Sequence, residues 1–119
     1  MPKKVIKDYT KSQKESYLMY TSGLSIKEIA QERKLVEATI EKHLAQFVKL
    51  GKLEINEFVS KEKTDLITDY FNKSNSTLLR DAKAALGEDI SYSEIRYVLS
   101  HMKFLGTLRI IWANTFLFP

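Results

Sequence analysis

The sequence predicts an all-α fold with two tandem helix-turn-helix units, winged-helix-like, about six helices in total and possible short β wings. Two observations predict it. Serine or threonine precedes most amphipathic stretches, glycine follows several of them, and their apolar residues recur at three- and four-residue spacing. Similar residues also recur 55 positions apart, as Ile40 and Ile95 or Gly51 and Gly106 do, which indicates two copies of one plan.

The first predicted helix covers residues 13–22 and follows Ser12 or Thr10, either of which can cap it. The second begins after Ser25, whose spacing to Glu28 is that of a capping box. Both helices are short, and glycine or a charged turn separates each from the next. This order is that of the first two helices of a helix-turn-helix unit.

The second helix is expected to end near Lys34, and Leu35 is expected to help close the small core. Glycine in a left-handed conformation often occupies the turn position that Lys34 holds. A lysine there would cost about 1 kcal/mol of backbone preference, unless the turn has another shape.

A third helix is predicted over 37–50, because Ile40 and Leu44 share one face with other apolar residues and Gly51 follows. This is the helix that would face DNA in the first unit. Residues 52–59 are short and alternating, and they fit either an extended wing strand or a turn.

The second half repeats this organisation after a connecting helix. Its predicted caps and helices are Ser60 with 61–73, Ser76 with 77–86, and Ser91 with 92–105. Leu66, Ile67, Tyr70 and Phe71 are expected to form the buried stripe of the connecting helix.

These elements divide the chain into four segments. They are a basic linker at 1–11, the first unit at 12–59, the connecting helix with the second unit at 60–106, and an apolar tail at 107–119. The tail is β-prone, and we expect it to pack against other protein.

Composition narrows the function classes. The net charge is +4, which suits a nucleic-acid partner but is also common among soluble domains. The chain has no cysteine, so a disulfide scaffold and a thiolate metal site are excluded. Because no apolar run approaches the roughly 18 residues of a membrane span, we expect a soluble, cytoplasmic protein with no membrane partner.

The predicted reading helix of the first unit carries both signs of charge. Glu37 and Glu41 near its start would repel phosphates, so strong base readout by this helix is not expected. The cations that can reach a DNA backbone are exposed on either unit, although each can equally be a solvated surface charge. These candidate nucleic-acid-binding residues are Lys27, Arg33, Lys34, Lys42, Lys49, Arg96 and Lys103.

Aromatic residues beside the second reading helix offer another means of binding. Tyr92 and Tyr97 lie near Arg96, and exposed aromatic rings beside cations can stack on unpaired bases. Tyr97 fits a core position equally well. His43 and His101 lack further ligands at metal spacing, so no metal site is expected.

No catalytic motif is recognisable. The phosphate-binding loop G-x-x-x-x-G-K-[ST], the nucleophile motif G-x-S-x-G and the zinc motif H-E-x-x-H are all missing from the sequence. We therefore expect this chain not to be an enzyme by itself and to hold no cofactor.

Three motifs carry a family resemblance over about residues 16–105. They read G-x-S-I-x-E-I-A-x-E-R at 23–33, T-I-x-x-H-L at 39–44 and I-S-Y-S-E-I-R-x-V-L at 90–99. Together they resemble the C-terminal helix-turn-helix region of bacterial RecQ-type ATP-dependent DNA helicases. The first two alone also resemble the DNA-binding region of LuxR-type response regulators.

The helicase resemblance implies a role in DNA repair and recombination. It also implies that ATP, Mg²⁺ and Zn²⁺ belong to other domains of a parent helicase, which would be partners of this chain along with DNA. Two alternatives stay open at this point. One is a protein-interaction module of the same helicase, and the other is the DNA-binding domain of a LuxR-like transcription regulator.

Overall fold

A computed structural model describes residues 8–106, which form six α-helices and one 3₁₀ turn and contain no β-strand. This confirms the all-α fold class. The elements are α1 at Lys11–Thr21, α2 at Ile26–Arg33, α3 at Glu37–Lys49, the 3₁₀ turn at Ile55–Glu57, α4 at Lys61–Lys73, α5 at Leu79–Leu86 and α6 at Tyr92–Leu105. The N-terminal part of the predicted linker and the predicted tail at 107–119 lie outside the described residues.

Most helices begin where the sequence predicts. Thr10, rather than Ser12, caps α1, because its side chain accepts the backbone N–H of Gln13. Ser25 and Ser91 form the predicted capping boxes of α2 and α6. Each of these side chains satisfies a backbone N–H group that the helix itself leaves unpaired.

The predicted start of α5 is wrong. Ser76 does not cap a helix from residue 77, and α5 begins only at Leu79, with Leu78 at its N-cap. The Ser76 hydroxyl accepts the Leu78 N–H at 3.1 Å and donates to the Asp81 carboxylate at 2.8 Å. The hydrogen bond between the Ser76 hydroxyl and the Leu78 N–H closes a serine turn, so Ser76 does not start a helix.

Residues 52–59 form a turn, so the alternative of an extended wing strand is wrong for this segment. The 3₁₀ turn is closed by Glu57, whose side chain accepts the Glu54 N–H at 3.0 Å. Leu53 and Val59 on either side are buried. With apolar side chains buried at both ends, the segment is held against the core and does not extend as a wing.

The helices pack as two groups of three, α1–α3 and α4–α6, in which the third helix contacts both of the others. The largest contact between helices joins the two groups, α3 against α6. The fully buried side chains come from both groups and form one core, comprising Ile29, Ile40, Leu44, Phe47, Val48, Ile67, Phe71, Ile95, Val98 and Met102.

Two residues predicted for the core are exposed instead. Leu35 is 37% exposed and Leu66 is 57% exposed. On α4 the buried positions are Ile67 and Phe71, four residues apart, which turns Leu66 outward. Leu35 follows the left-handed residue Lys34, where the chain changes direction before α3.

Three stacked rings join the two groups of helices. Tyr20 of α1 stacks on Phe58 with ring centroids 5.5 Å apart, and Phe58 stacks on Tyr97 of α6 at 4.2 Å. The Tyr20 hydroxyl donates to Glu57 at 3.0 Å. Burial, then the bond to Glu57, raises the pKa of Tyr20 to about 12. Tyr97 is buried, so it is a core residue and not a base-stacking one.

Helices α3 and α6 run side by side in the same direction. Glu41 and Tyr97 lie in the first halves of their helices. Burial raises the pKa of the Tyr97 phenol most, and the nearby Glu41 carboxylate raises it further. At the C-terminal ends, Gly51 contacts the ring of Phe104. A Cβ at residue 51 would overlap that ring, and Gly51 also has φ of +77°. Glycine therefore suits this position, since any side chain would adopt the left-handed conformation and displace the half-exposed ring of Phe104.

We predict that Gly51→Ala destabilises the fold by about 2–4 kcal/mol, because it adds a left-handed alanine and an overlap with Phe104. Urea denaturation of the wild type, Gly51→Ala, Phe104→Ala and the double variant measures this. In the Phe104→Ala background the same change is expected to cost only about 1 kcal/mol. An equal cost in both backgrounds would contradict the contact.

Candidate nucleic-acid interface

The turn between α2 and α3 is a left-handed helix-turn-helix turn. Lys34 has φ of 57° and ψ of 43°, and the Leu35 N–H donates to the Ala30 carbonyl at 2.9 Å. The left-handed conformation predicted for this position is thus adopted by a lysine, at a cost of about 1 kcal/mol. Ala30 is buried beneath the turn, where a small side chain permits the close approach.

The turn between α5 and α6 is built differently. Here Gly87 ends α5 with φ of 89°, and the Lys83 ammonium donates to the carbonyls of Gly87 at 3.0 Å and Ile90 at 2.8 Å. Lys83 therefore satisfies carbonyl groups that the helix end leaves free. The ammonium group of Lys83 is therefore bonded within the turn.

Arg33 is occupied by contacts within the first unit. Its guanidinium donates to the carbonyl and hydroxyl of Ser12, to the hydroxyl of Ser16 and to the carboxylate of Glu15 at 3.0 Å. The side chain is only 13% exposed. Since these bonds join α2 to α1, Arg33 is a structural residue, and we remove it from the candidate contacts with DNA.

Ser16 and His43 complete this network. The guanidinium can only donate, so the Ser16 oxygen accepts from Arg33, which leaves its hydroxyl proton available to His43 Nδ1, 2.8 Å away. This arrangement fits a neutral His43 with its proton on Nε2. Burial, then the charge of Arg33, lowers its pKa. The network links all three helices of the first unit and satisfies the buried Ser16 hydroxyl.

Four of the predicted cations lie on one face. Lys42 and Lys49 of α3 are seven residues apart, as are Arg96 and Lys103 of α6, and this spacing of two turns places each pair on one side of its helix. Lys42, Lys49 and Lys103 are exposed and Arg96 is half-buried. Because α3 and α6 are parallel, the four charges form two neighbouring rows.

Lys49 and Lys103 bring the two rows together. Lys49 and Lys103 each lie within two residues of the point where Gly51 meets Phe104, and burial, then the charge of Lys49, lowers the pKa of Lys103. A bound anion would offset both effects, since it replaces lost solvation and neutralises the repulsion. We call Lys42, Lys49, Arg96 and Lys103 the four-cation face.

Lys27 and Lys34 are exposed on α2 and its C-terminal turn. They lie on a different helix from the four-cation face, which is on α3 and α6. Of the seven cations predicted from the sequence, four lie on α3 and α6, two lie on α2 and its turn, and Arg33 is bonded to α1.

Comparison with known proteins agrees with this architecture. A family model described as a helix-turn-helix domain matches residues 12–99. The chain belongs to this helix-turn-helix domain family. Helix-turn-helix domains suggest DNA binding.

A protein of Bacillus subtilis (strain 168), YpbB, is 29% identical to this helix-turn-helix domain over 92 residues. The match covers 76% of the chain and 26% of YpbB, so the chain spans about a quarter of that protein's length. No solved structure matches.

The described part of this helix-turn-helix domain has neither a metal-binding cluster nor a membrane-spanning helix. Among residues 8–106, no three or more His, Cys, Asp or Glu side chains are grouped so as to hold a metal ion. None of the six helices there has the length and apolar character that crossing a membrane requires.

We predict that the fold loses stability as pH falls below about 6.5, the ordinary pKa of histidine. His43 and His101 both have pKa values lowered in the folded state, so the unfolded chain binds more protons over this interval and protonation favours unfolding. Urea denaturation at pH 7.5 and 5.5 measures the loss.

His43→Asn provides the matched comparison, because the asparagine oxygen can accept the Ser16 hydroxyl in place of Nδ1 and cannot be protonated in this range. This variant is expected to lose less stability between the two pH values than the wild type. An identical loss in both proteins would contradict the assignment of a neutral His43.

Proposed function

We propose that this chain is a non-catalytic C-terminal accessory domain of a RecQ-like ATP-dependent DNA helicase. In this proposal it binds or orients DNA for the motor in repair and recombination. The single observation that carries the DNA-binding part is the four-cation face, to which both helix-turn-helix units contribute. The helicase part is supported by the three sequence motifs at 23–33, 39–44 and 90–99.

The four-cation face is suited to the DNA backbone. Lysine and arginine bind phosphate oxygens regardless of sequence and release condensed counterions when they do so. Asparagine and glutamine can bond both edge groups of adenine, but Gln46 on α3 already donates to the carbonyl of Asp8. The contacts proposed are therefore with sugar and phosphate.

The proposal assigns the chemical steps to other parts of the parent helicase. ATP hydrolysis with Mg²⁺, and any Zn²⁺ site, would belong to those domains, and this chain would hold the nucleic acid while the motor acts. The domains concerned would then be its protein partners.

The transcription-regulator alternative is less well supported by the geometry. It needs one reading helix that presents its N-terminal residues to base edges. On α3 that end carries exposed Glu37 and half-buried Glu41, and α6 lies alongside.

We predict that Lys49→Gln/Lys103→Gln weakens DNA binding, because it removes two phosphate contacts. Fluorescence anisotropy of labelled single-stranded, duplex and forked DNA at two salt concentrations measures it. The slope of log K against log salt is expected to become shallower by about 1.4–1.8, with a loss of affinity at low salt.

The matched control is Lys61→Gln/Lys73→Gln, which removes the same charge from α4, where Lys61 pairs with Asp65 and Lys73 with Asp69. It is expected to leave binding nearly unchanged. Equal effects of the two double variants would show that only net charge matters. Millimolar, salt-insensitive binding by the wild type would remove DNA from the proposal.

An apolar groove favours a second candidate, a protein-interaction module of the same helicase. Leu66, Tyr70 and Leu86 line it between α4 and α5, and Leu66 is more than half exposed. Exposed apolar side chains in a groove are typical of protein contacts.

We predict for this candidate that Leu66→Ser weakens association with the remainder of the parent helicase by about tenfold, as the loss of a buried leucine would. Leu18→Ser on α1, also about half exposed, is the matched control. Analytical ultracentrifugation of mixtures measures association, and an equal response of the two variants would contradict a role for the groove.

A further inference from the structure

The pairing of α3 with α6 restricts which form of DNA the four-cation face can hold. A single helix with its side chains is about 10–12 Å across, and two packed helices have axes about 8–10 Å apart, so the pair is roughly 20 Å wide. The major groove of B-DNA is about 12 Å wide and admits one helix. With α6 alongside α3 from Glu41 to the C-terminal end, the face that the two helices share is wider than the major groove.

An exposed aromatic ring lies on the same side of α6 as its two cations. Tyr92 is 47% exposed, and it precedes Arg96 by four residues and Lys103 by eleven, which places all three on one stripe of the helix. The stripe is roughly 16 Å long, which is enough for a few nucleotides. Unlike Tyr97, whose ring is stacked on Phe58, the Tyr92 ring has an accessible side.

Charge along the face is graded from one end to the other. The N-terminal ends of the two helices have exposed carboxylates, Glu37 on α3 and Glu88 and Asp89 just before α6. The C-terminal ends have the adjacent ammonium groups of Lys49 and Lys103. Phosphates are attracted to the second end and repelled from the first, so a base, which is neutral, is the group that suits the ring of Tyr92.

We propose that the four-cation face binds single-stranded DNA, with phosphates on Arg96, Lys103, Lys42 and Lys49 and one unpaired base stacked on Tyr92. This inference rests on the proposed function and specifies its substrate. In a duplex every base is stacked between its neighbours and no base face is free for Tyr92. A single strand offers both its phosphates and its base faces to an aromatic ring beside cations.

The test is fluorescence anisotropy of the 119-residue chain with three labelled oligonucleotides of equal length, namely oligo(dT), the same strand with abasic sites throughout, and a duplex. The wild type is expected to bind oligo(dT) at least about fivefold more tightly than either of the other two. Tyr92→Ala is expected to lose about fivefold or more on oligo(dT) and less than about twofold on the abasic strand. Tyr92→Phe, which keeps the ring, is expected to retain the wild-type affinity.

The control variants separate this inference from the proposed function. Leu18→Ala removes an equally exposed apolar side chain from α1 and is expected to change nothing, and circular dichroism checks that each variant folds. Tighter binding to the duplex, or an equal loss on the abasic strand with Tyr92→Ala, overturns the inference. If Lys49→Gln/Lys103→Gln weakens that duplex binding, the proposed DNA-binding function stands and only the single-strand inference fails. Failure to bind any of the three overturns both.

Discussion

The parallel packing of α3 against α6 is the contact on which the rest of the structure depends. It joins the two groups of helices into one core, and at its C-terminal end the ring of Phe104 lies beside Gly51. The same packing determines the surface. Two helices that would act separately in two independent units instead present their outward stripes side by side, and the positive charges of both are combined on one face.

Each unit is also held together by polar contacts that differ between the two copies. In the first, the guanidinium of Arg33 and the Ser16 hydroxyl link the three helices through His43. In the second, Lys63 of α4 forms an ion pair with Glu94 of α6 at 3.1 Å, and Glu94 also closes the capping box. The two groups of helices therefore share one apolar core but use different polar contacts.

The fold was largely predictable from the sequence because caps, periodicity and stop glycines are local signals. Four of the six helices begin at the predicted residue, and α1 and α5 begin two residues from it. The errors have physical reasons. Ser76 competes for a nearby backbone group, and the outward rotation of Leu66 depends on packing with α6. For the candidate interface, the sequence identifies the cationic residues but not which of them lie together in the fold. That Arg33 is internal and Tyr97 is stacked follows from tertiary contacts, which a helical pattern does not encode.

The ring stack of Tyr20, Phe58 and Tyr97 has a consequence for how this protein can be divided. Its middle ring lies in the connection between the two groups of helices, so each group contributes a surface that the other covers. A piece ending at residue 59 would expose the face of Phe58 and the flank of α3 to water. The two groups therefore depend on each other for burial, and we expect them to unfold together.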